Sequence, residues 1–228
     1  MAIRVGVIGA HGRMGAEVCR AVEADPDLEL VAQVGHTDAL DLLFSSHTEV
    51  AVDFTTPEAV KGNVSYLLDH GIHAVVGTSG LTDSDMEGFE TAAAGSSANV
   101  VIAPNFAVGA VLMMKFAAEA APFFEAAEIV ERHRAGKLDK PSGTSLRTAR
   151  LMDESRTEGW SKPIEIHSLR LAGSVAHQEV LFGSPGETLT IKHDSLDRTS
   201  FMPGVLLAVK KVASLDGVTI GLEHLLEL

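Results

Sequence analysis

Through its first hundred residues the chain alternates short apolar runs with amphipathic stretches. Residues 3–8, IRVGVI, are an apolar-rich run of strand length without strict alternation, the pattern of a strand buried on both faces. Met14, Val18, Ala21 and Val22 follow at helical spacing until ADPD stops them. LELVAQV (28–34), EVAVDFT (49–55), HAVVGTSG (73–80) and ANVVIAPNF (98–106) repeat the strand pattern, the last two running into turns. Between them, PEAVKGNVSYLLDHG (57–71) opens on proline and closes on glycine, as a helix does, and LTDSDMEGFETAAAG predicts another helix. Strands alternating with helices in this way predict a doubly wound parallel sheet, which binds ligands at the carboxyl ends of its strands.

After Asn105 the pattern changes. AVGAVLMMKFAAEAAPFF (107–124) predicts a long apolar helix, AEIVERHRAG a strand, and SGTSLRTARLMDESR (142–156) a helix capped by Ser and Thr. IEIHSLRLA, AHQEVLFGS and ETLTIKHDS alternate between Gly/Pro/Ser turns, which predicts a mixed, mostly antiparallel sheet. RTSFMPGVLLAVKKVASL (198–215) is a final helix, and GVTIGLEHLLEL offers a returning strand. The expected fold class is therefore α/β: a Rossmann-type domain at 1–106, rejoined by 203–228, and an α+β domain at 107–202.

Composition narrows the function classes. The 228 residues are 46% hydrophobic and 21% charged, with 31 acidic against 18 basic side chains and a net charge of −13. Nucleic acid and anionic membranes both require a broad basic face, so neither is an expected partner. No apolar run is long enough for a membrane span or signal peptide, and the single cysteine, Cys19, fits a reducing cytoplasm. The histidines outside the motifs lack metal-ligand spacing, and no metal is expected.

Chemistry enters with Gly9-Ala10-His11-Gly12-Arg13-Met14-Gly15, set between the first strand and the first helix. Glycines there permit a tight turn and close approach of backbone to a pyrophosphate, and the helix N-terminus offers free N–H groups. The spacing is a variant of the usual dinucleotide fingerprint. At the end of the second strand Gly35 supplies neither an acid nor a base. His36 and Arg13 suit a phosphate and Asp38 a hydroxyl, so NADH and NADPH both stay open. Gly77-Thr78-Ser79-Gly80 and Ala103-Pro104-Asn105-Phe106 follow the fourth and fifth strands, on the edge where a nicotinamide would lie.

In this acidic chain ERHRAGKLDKPSGT (131–144) gathers Arg132, His133, Arg134, Lys137 and Lys140. A run of charge is also what a solvated face looks like. Here, however, it leads into Pro141-Ser142-Gly143-Thr144 at a helix start, whose free amides and hydroxyls suit a carboxylate. Histidine suits proton transfer near neutral pH, and a lysine desolvated among other cations would give up its proton more readily.

The blocks VGVIGAHGRMG, VDFT, HAVVGTSG, APNFAVGAVL, HRAGKLDKPSGT, RLAGSVAHQEVLFG and GETLTIKHDSLDRTSFMPGVLLAV together resemble the 4-hydroxy-tetrahydrodipicolinate (dihydrodipicolinate) reductase family nearly end to end, in its actinobacterial branch. The resemblance implies a cytoplasmic, homotetrameric enzyme of lysine and diaminopimelate biosynthesis that reduces a small cyclic dicarboxylate imine with NADH or NADPH. The second domain would then bind substrate and mediate oligomerisation. By motif, His133 and Lys137 are implied as the proton-handling residues and Gly143 and Thr144 as binding a substrate carboxylate, to which the helix-start reading adds Ser142 and Arg134 as substrate-binding. Gly9 to Met14, Gly77 to Ser79 and Ala103 to Phe106 are implied as cofactor-binding. Two departures stand out: Arg134 replaces the second histidine of the family's His-His pair, and ESRTEGWSKPIEIHS is a short connection. Arginine still binds a carboxylate bidentately. A relative reducing another cyclic imine acid and a non-catalytic NAD(P)-binding paralogue are the alternatives.

Overall fold

The computed structural model describes residues 1–78, 80–160 and 162–226. It divides into two compact units, Met1–Phe106 with Phe201–Leu228, and Ala107–Ser200.

The first unit is a six-stranded parallel sheet in the order β10-β5-β4-β3-β1-β2. Its strands are β1 (Ile3–Ile8), β2 (Leu28–Val34), β3 (Val50–Asp53), β4 (His73–Val76), β5 (Val100–Ile102) and β10 (Val218–Ile220). The central strands are almost without exposed surface, which explains why they read as continuous apolar runs (Val5, Val7, Val52, Val75 and Val101 are all 0% exposed). Burying each such side chain contributes about 1.5–3 kcal/mol. Helices α1 (Arg13–Ala24), α3 (Pro57–Asp69), α4 (Asp83–Ala93) and α7 (Met202–Lys211) cover the sheet, α3 through Val60, Val64, Leu67 and Leu68. Lys210 on α7 ties the end of α1 by ion pairs to Asp25 (2.9 Å) and Asp27 (2.8 Å).

Chain order reverses at β1: β2 lies on one side and β3, β4 and β5 on the other. Such a switch point opens a crevice at the strand carboxyl ends. A short helix, α2 (Asp41–Ser45), has no counterpart in the sequence reading; only Leu43 on it is buried, too little for a periodic signal. The final helix is also shorter than expected, with 3-10 turns at Arg198–Phe201 and Val212–Ser214 flanking α7. Pro203 sits in its first turn, where a missing N–H is harmless.

The second unit is a four-stranded mixed sheet in the order β7-β6-β8-β9, from β6 (Ala126–His133), β7 (Glu165–Arg170), β8 (Ala176–Ser184) and β9 (Glu187–Ser195). β7 joins β6 in parallel, while β6–β8 and β8–β9 are antiparallel. Helices α5 (Val108–Ala120) and α6 (Gly143–Glu154) enclose a core with Ile129, Met152, Val180 and Phe182. α5 ends before the expected Phe124 because Pro122 turns Ala121–Phe123 into a 3-10 turn. The ten-residue link from α6 to β7 is pinned by Arg156, whose Nη1 donates to the carbonyls of Ala121 (2.6 Å) and Phe124 (2.7 Å) and whose guanidinium lies 4.0 Å from the Trp160 ring.

Candidate active site

Gly9 follows β1 with φ +78°, a left-handed conformation that glycine adopts without strain. Its N–H donates to the Val34 carbonyl (2.8 Å), and its carbonyl accepts from Gly12 N–H (2.9 Å). A β-carbon at Gly9 would lie 2.7 Å from the Phe54 carbonyl oxygen, and one at Gly15 would fall onto the carbonyl oxygen of Gly9 itself. The turn is thus compressed against β3 and against its own helix. Gly12 caps α1 without a side-chain hydrogen bond, so the first-turn amides of this twelve-residue helix face outward at its positive end. His11 and Arg13 are exposed beside it, Met14 is half-buried, and Ala10 is buried with its N–H on the Val34 carbonyl (3.2 Å).

Beside this turn lies a cavity of about 340 Å³ lined by Gly9, Val34, Gly35, Asp38, Thr55 and Asn63, among others. Asp38 folds back so that its carboxylate accepts the Gly35 N–H at 2.8 Å. A carboxylate three residues downstream of Gly35 thus lines the cavity beside the end of β2. A second acid, Asp53 at the end of β3, is fully buried. It accepts from Thr55 N–H (2.9 Å), Thr55 Oγ1 (2.7 Å) and Thr78 Oγ1 (3.0 Å) through one oxygen, and from Asn63 Nδ2 (2.7 Å) through the other. Asp53 thereby joins the loops after β3 and β4 to α3. Sequence reading missed it because its partners Asn63 and Thr78 lie ten and 25 residues away.

Gly77 and Thr78 follow β4 on the same edge, and Gly77 leaves room for the Phe54 ring. Ser79 lies outside the described residues. After β5, Ala103 is buried, Pro104 exposed and Asn105 half-buried. Phe106 is also buried, its ring 5.8 Å from that of Phe54, so this residue offers a ligand its backbone and not its side chain. The glycine cradle, the open amides and the neighbouring cavity fit a dinucleotide.

In the second unit, β6 splits the cationic run between two faces. Ala127, Ile129, Glu131 and His133 alternate toward the helix-covered side, so Arg132 points to the opposite one. Arg134 and Lys140 are exposed, and Lys137 is half-buried in the turn that follows, its N–H on the Arg134 carbonyl (3.1 Å). The expectation of a lysine surrounded by other cations is corrected here. Lys137 Nζ is paired with Asp139 Oδ2 at 2.7 Å, and burial of Asp139 is outweighed by Lys137, which holds that carboxyl below its ordinary range.

His133 Nδ1 lies 2.5 Å from Oε2 of Glu131, a carboxylate with no exposed surface. Burial alone would raise the Glu131 pKa; hydrogen bonds from Arg170 and His133 reverse this and bring it to about 2. The carboxylate is therefore ionised and can only accept, which puts the imidazole proton on Nδ1. Burial lowers the His133 pKa, with Lys137 and Arg170 adding to the effect and Glu131 opposing it, so the ring is neutral at neutral pH.

Ser142 caps α6, its hydroxyl accepting from Ser145 N–H at 3.2 Å. That hydroxyl is buried and also bonded to Ser145 Oγ (2.9 Å), so Ser142 anchors the helix while Gly143 stays exposed and Thr144 half-buried at its mouth. The anchor continues through Ser145 Oγ to Gln178 Oε1 (2.7 Å), and from Gln178 Nε2 to Thr148 Oγ1 (2.7 Å). Ser145, Thr148 and Gln178 were not singled out from sequence. A polar residue at an inward position of the apolar strand AHQEVLFGS was the available signal.

A glycine cradle that fits a dinucleotide in the first unit, and a buried histidine–carboxylate pair in the second, are features of a dinucleotide-dependent oxidoreductase. Residues 3–106 match the family description "Dihydrodipicolinate reductase, N-terminus" and residues 109–226 its "C-terminus". The chain belongs to the dihydrodipicolinate reductase family. It is 52% identical to the 4-hydroxy-tetrahydrodipicolinate reductase of Mycolicibacterium smegmatis over 99% of this chain and 100% of that one. The enzyme of the same name from Nocardia farcinica is 50% identical, with both chains fully covered. Among solved structures, dipicolinate-bound dihydrodipicolinate reductase from Paenisporosarcina sp. TG-14 superposes with a TM-score of 0.86 at 34% identity, covering 99% of this chain and 100% of that one. Both alignments to the actinobacterial relatives exceed 228 positions, so gaps open in this chain.

Proposed function

We infer that the chain is an NAD(P)H-dependent oxidoreductase that reduces 4-hydroxy-tetrahydrodipicolinate to tetrahydrodipicolinate, a step of lysine and diaminopimelate biosynthesis. The observation that carries this is full-length identity of about half to relatives of that name, with His133 and Lys137 both present. When bound, the nicotinamide supplies the hydride for the ring. The turn from Gly9 to Met14 cradles the pyrophosphate at the first-turn amides of α1, and Gly77, Thr78 and the backbone of Ala103 to Phe106 border the nicotinamide end, with Ser79 assigned there by motif. Gly143 and Thr144 hold one substrate carboxylate at the positive end of α6, and the exposed Arg134 takes the place of a histidine toward the other. Lys137 donates the proton that completes reduction, and His133 accepts or returns a proton as water is lost. A cytoplasmic location is part of this reading; among the described residues no helix is long and apolar enough to cross a membrane.

A homotetramer is part of this reading. It is supported by β9, an edge strand of nine residues with most positions exposed, and by exposed Leu169 and Leu189 on the same sheet, since long bare edges tend to be covered. Light scattering should give the mass of four chains.

The deciding experiment feeds purified protein with substrate made in situ by the preceding synthase and follows loss of reduced nicotinamide with each cofactor. Turnover is expected; cofactor binding without turnover would point to a different imine, with Arg134 as the first residue to revert.

Asp38 gives a prediction within that assay. Its carboxylate stands where a 2′-hydroxyl would be bound and a 2′-phosphate repelled. Because the site is solvent-exposed, the repulsion is modest, about 1 kcal/mol at contact distance. Asp38→Ala should therefore raise the NADPH-to-NADH ratio of kcat/KM roughly five- to tenfold. An unchanged ratio would remove Asp38 from the ribose site.

A further inference from the structure

Arg170 uses all five of its N–H donors within one buried cluster. Nη1 and Nη2 each donate at 2.8 Å to one oxygen of Glu131, a bidentate pair. The remaining donors go to three backbone carbonyls: Leu169 (2.7 Å) at the end of β7, Asp139 (2.6 Å), and Lys137 through Nε at 3.4 Å. The side chain is 7% exposed and that of Glu131 0%. Glu131 also accepts from His133 Nδ1. One ion pair thus touches the imidazole on one side and, on the other, the main chain at both ends of the Lys137–Asp139 pair.

We propose that Glu131 and Arg170 are positioning residues of the reductase, together fixing the tautomer and orientation of His133 and the backbone of the turn that carries Lys137. The proposal rests on the reductase reading above. A buried ion pair is a weak source of net stability, because desolvation offsets much of its attraction. Its distinguishing consequence is geometric: a planar fork matched to a planar carboxylate leaves one arrangement for everything bonded to either. Neither residue needs to touch substrate. With the proton held on Nδ1, Nε2 is the nitrogen left to accept one, and a carboxylate behind the ring stabilises the imidazolium that results. The charged groups facing His133 are Glu131 on its own strand, Lys137 and Asp139 in the following turn, and Arg170 on β7. Of these only the two acids favour its protonated form, so removing Glu131 must lower the pH at which the ring titrates.

The test uses the full-length protein with nitrogen-15-labelled histidine. In wild type the His133 signals should show a protonated Nδ1 and a bare Nε2. Glu131→Gln keeps the shape and loses the charge. We expect the proton to be shared between the two nitrogens, the titration midpoint to fall, and kcat to drop roughly ten- to a hundredfold with NADH affinity unchanged. Arg170→Lys keeps a charge and loses the fork. It should lower kcat by a similar factor without changing the KM for NADH, and shift the amide signals of residues 137–139. It also serves as the second probe should Glu131→Gln fail to fold. A purely structural pair would lower the melting temperature and leave tautomer, midpoint and kcat alone, and that result overturns the proposal. If wild type shows no turnover, the functional reading fails instead, and the imidazole and amide signals still decide whether the clamp exists.

Discussion

Replacing Lys137 with alanine should abolish turnover, by roughly a hundred- to ten-thousandfold in kcat, while leaving NADH affinity and the fold intact. The size of the effect follows from the role: no other ammonium lies within the turn at 134–139, and bulk water is a poor substitute for a positioned proton donor. Selectivity follows from what the side chain does not hold. The turn is closed by backbone, Lys137 N–H to the Arg134 carbonyl, and the Lys137 carbonyl is held by Arg170. An alanine keeps both bonds. What it loses is the pair with Asp139, whose side chain is 56% exposed, an interaction of the kind worth about 0–1 kcal/mol. The nucleotide cradle belongs to the other unit and has no part of residue 137 in it. Single-turnover kinetics and NADH titration on the same preparation separate the two quantities. Loss of NADH binding in this variant, or survival of turnover, would each remove Lys137 from the proton-donor role.

How far the sequence led, and where it stopped, follows from the range over which each signal acts. The glycine turn after β1 was legible because the physical demand is local: a φ of +78° at Gly9 and a close approach at Gly15 are recorded in the identities of those residues. α3 was legible because Pro57 and Gly71 punctuate it, and β8 and β9 because alternation runs through nine residues of each. Asp53, Glu131 and Arg170 were not. Each is a charged residue at or near the end of a strand, and its meaning depends on partners that lie far away in the sequence. Glu131 and Arg170 are 39 residues apart and meet only because β7 joins β6 in parallel, with His133 opposite Arg170. The cationic run illustrates the same limit from within. Counting charges suggested a single cluster, whereas the two-residue period of β6 sends Arg132 away from His133. Asp38 was legible as a candidate for a hydroxyl because it lies three residues after Gly35, whereas its hydrogen bond from Gly35 N–H at 2.8 Å appears only in the structure.

Gly15→Ala is the second large effect, and its argument is steric. The new methyl carbon would overlap the Gly9 carbonyl oxygen and press on Gly9 C (2.7 Å) and Ala10 Cα (2.8 Å), all of them main-chain atoms. None can retreat cheaply: Gly9 and Ala10 N–H are both bonded to Val34, and the Gly9 carbonyl is bonded to Gly12 N–H. Relief requires moving α1 away from β1, which opens the pyrophosphate cradle. The expected result is a loss of about 1–3 kcal/mol in stability from overpacking, with NADH affinity down at least tenfold because the amides no longer converge. The chain contains its own control. Gly62 in α3 and Gly88 in α4 are helical glycines with open space where a β-carbon would stand. Alanine at either should stabilise by roughly 0.5–1 kcal/mol, because a helix disfavours glycine by about that amount. The same substitution thus has opposite signs at three helical glycines that differ in what the methyl group meets. Melting temperatures of Gly15→Ala, Gly62→Ala and Gly88→Ala, read beside NADH titrations, test this directly. A Gly15→Ala protein that melts and binds like wild type would mean that the turn after β1 is not held as tightly as its hydrogen bonds indicate, and the assignment of Gly9 to Met14 as the pyrophosphate site would fall with it.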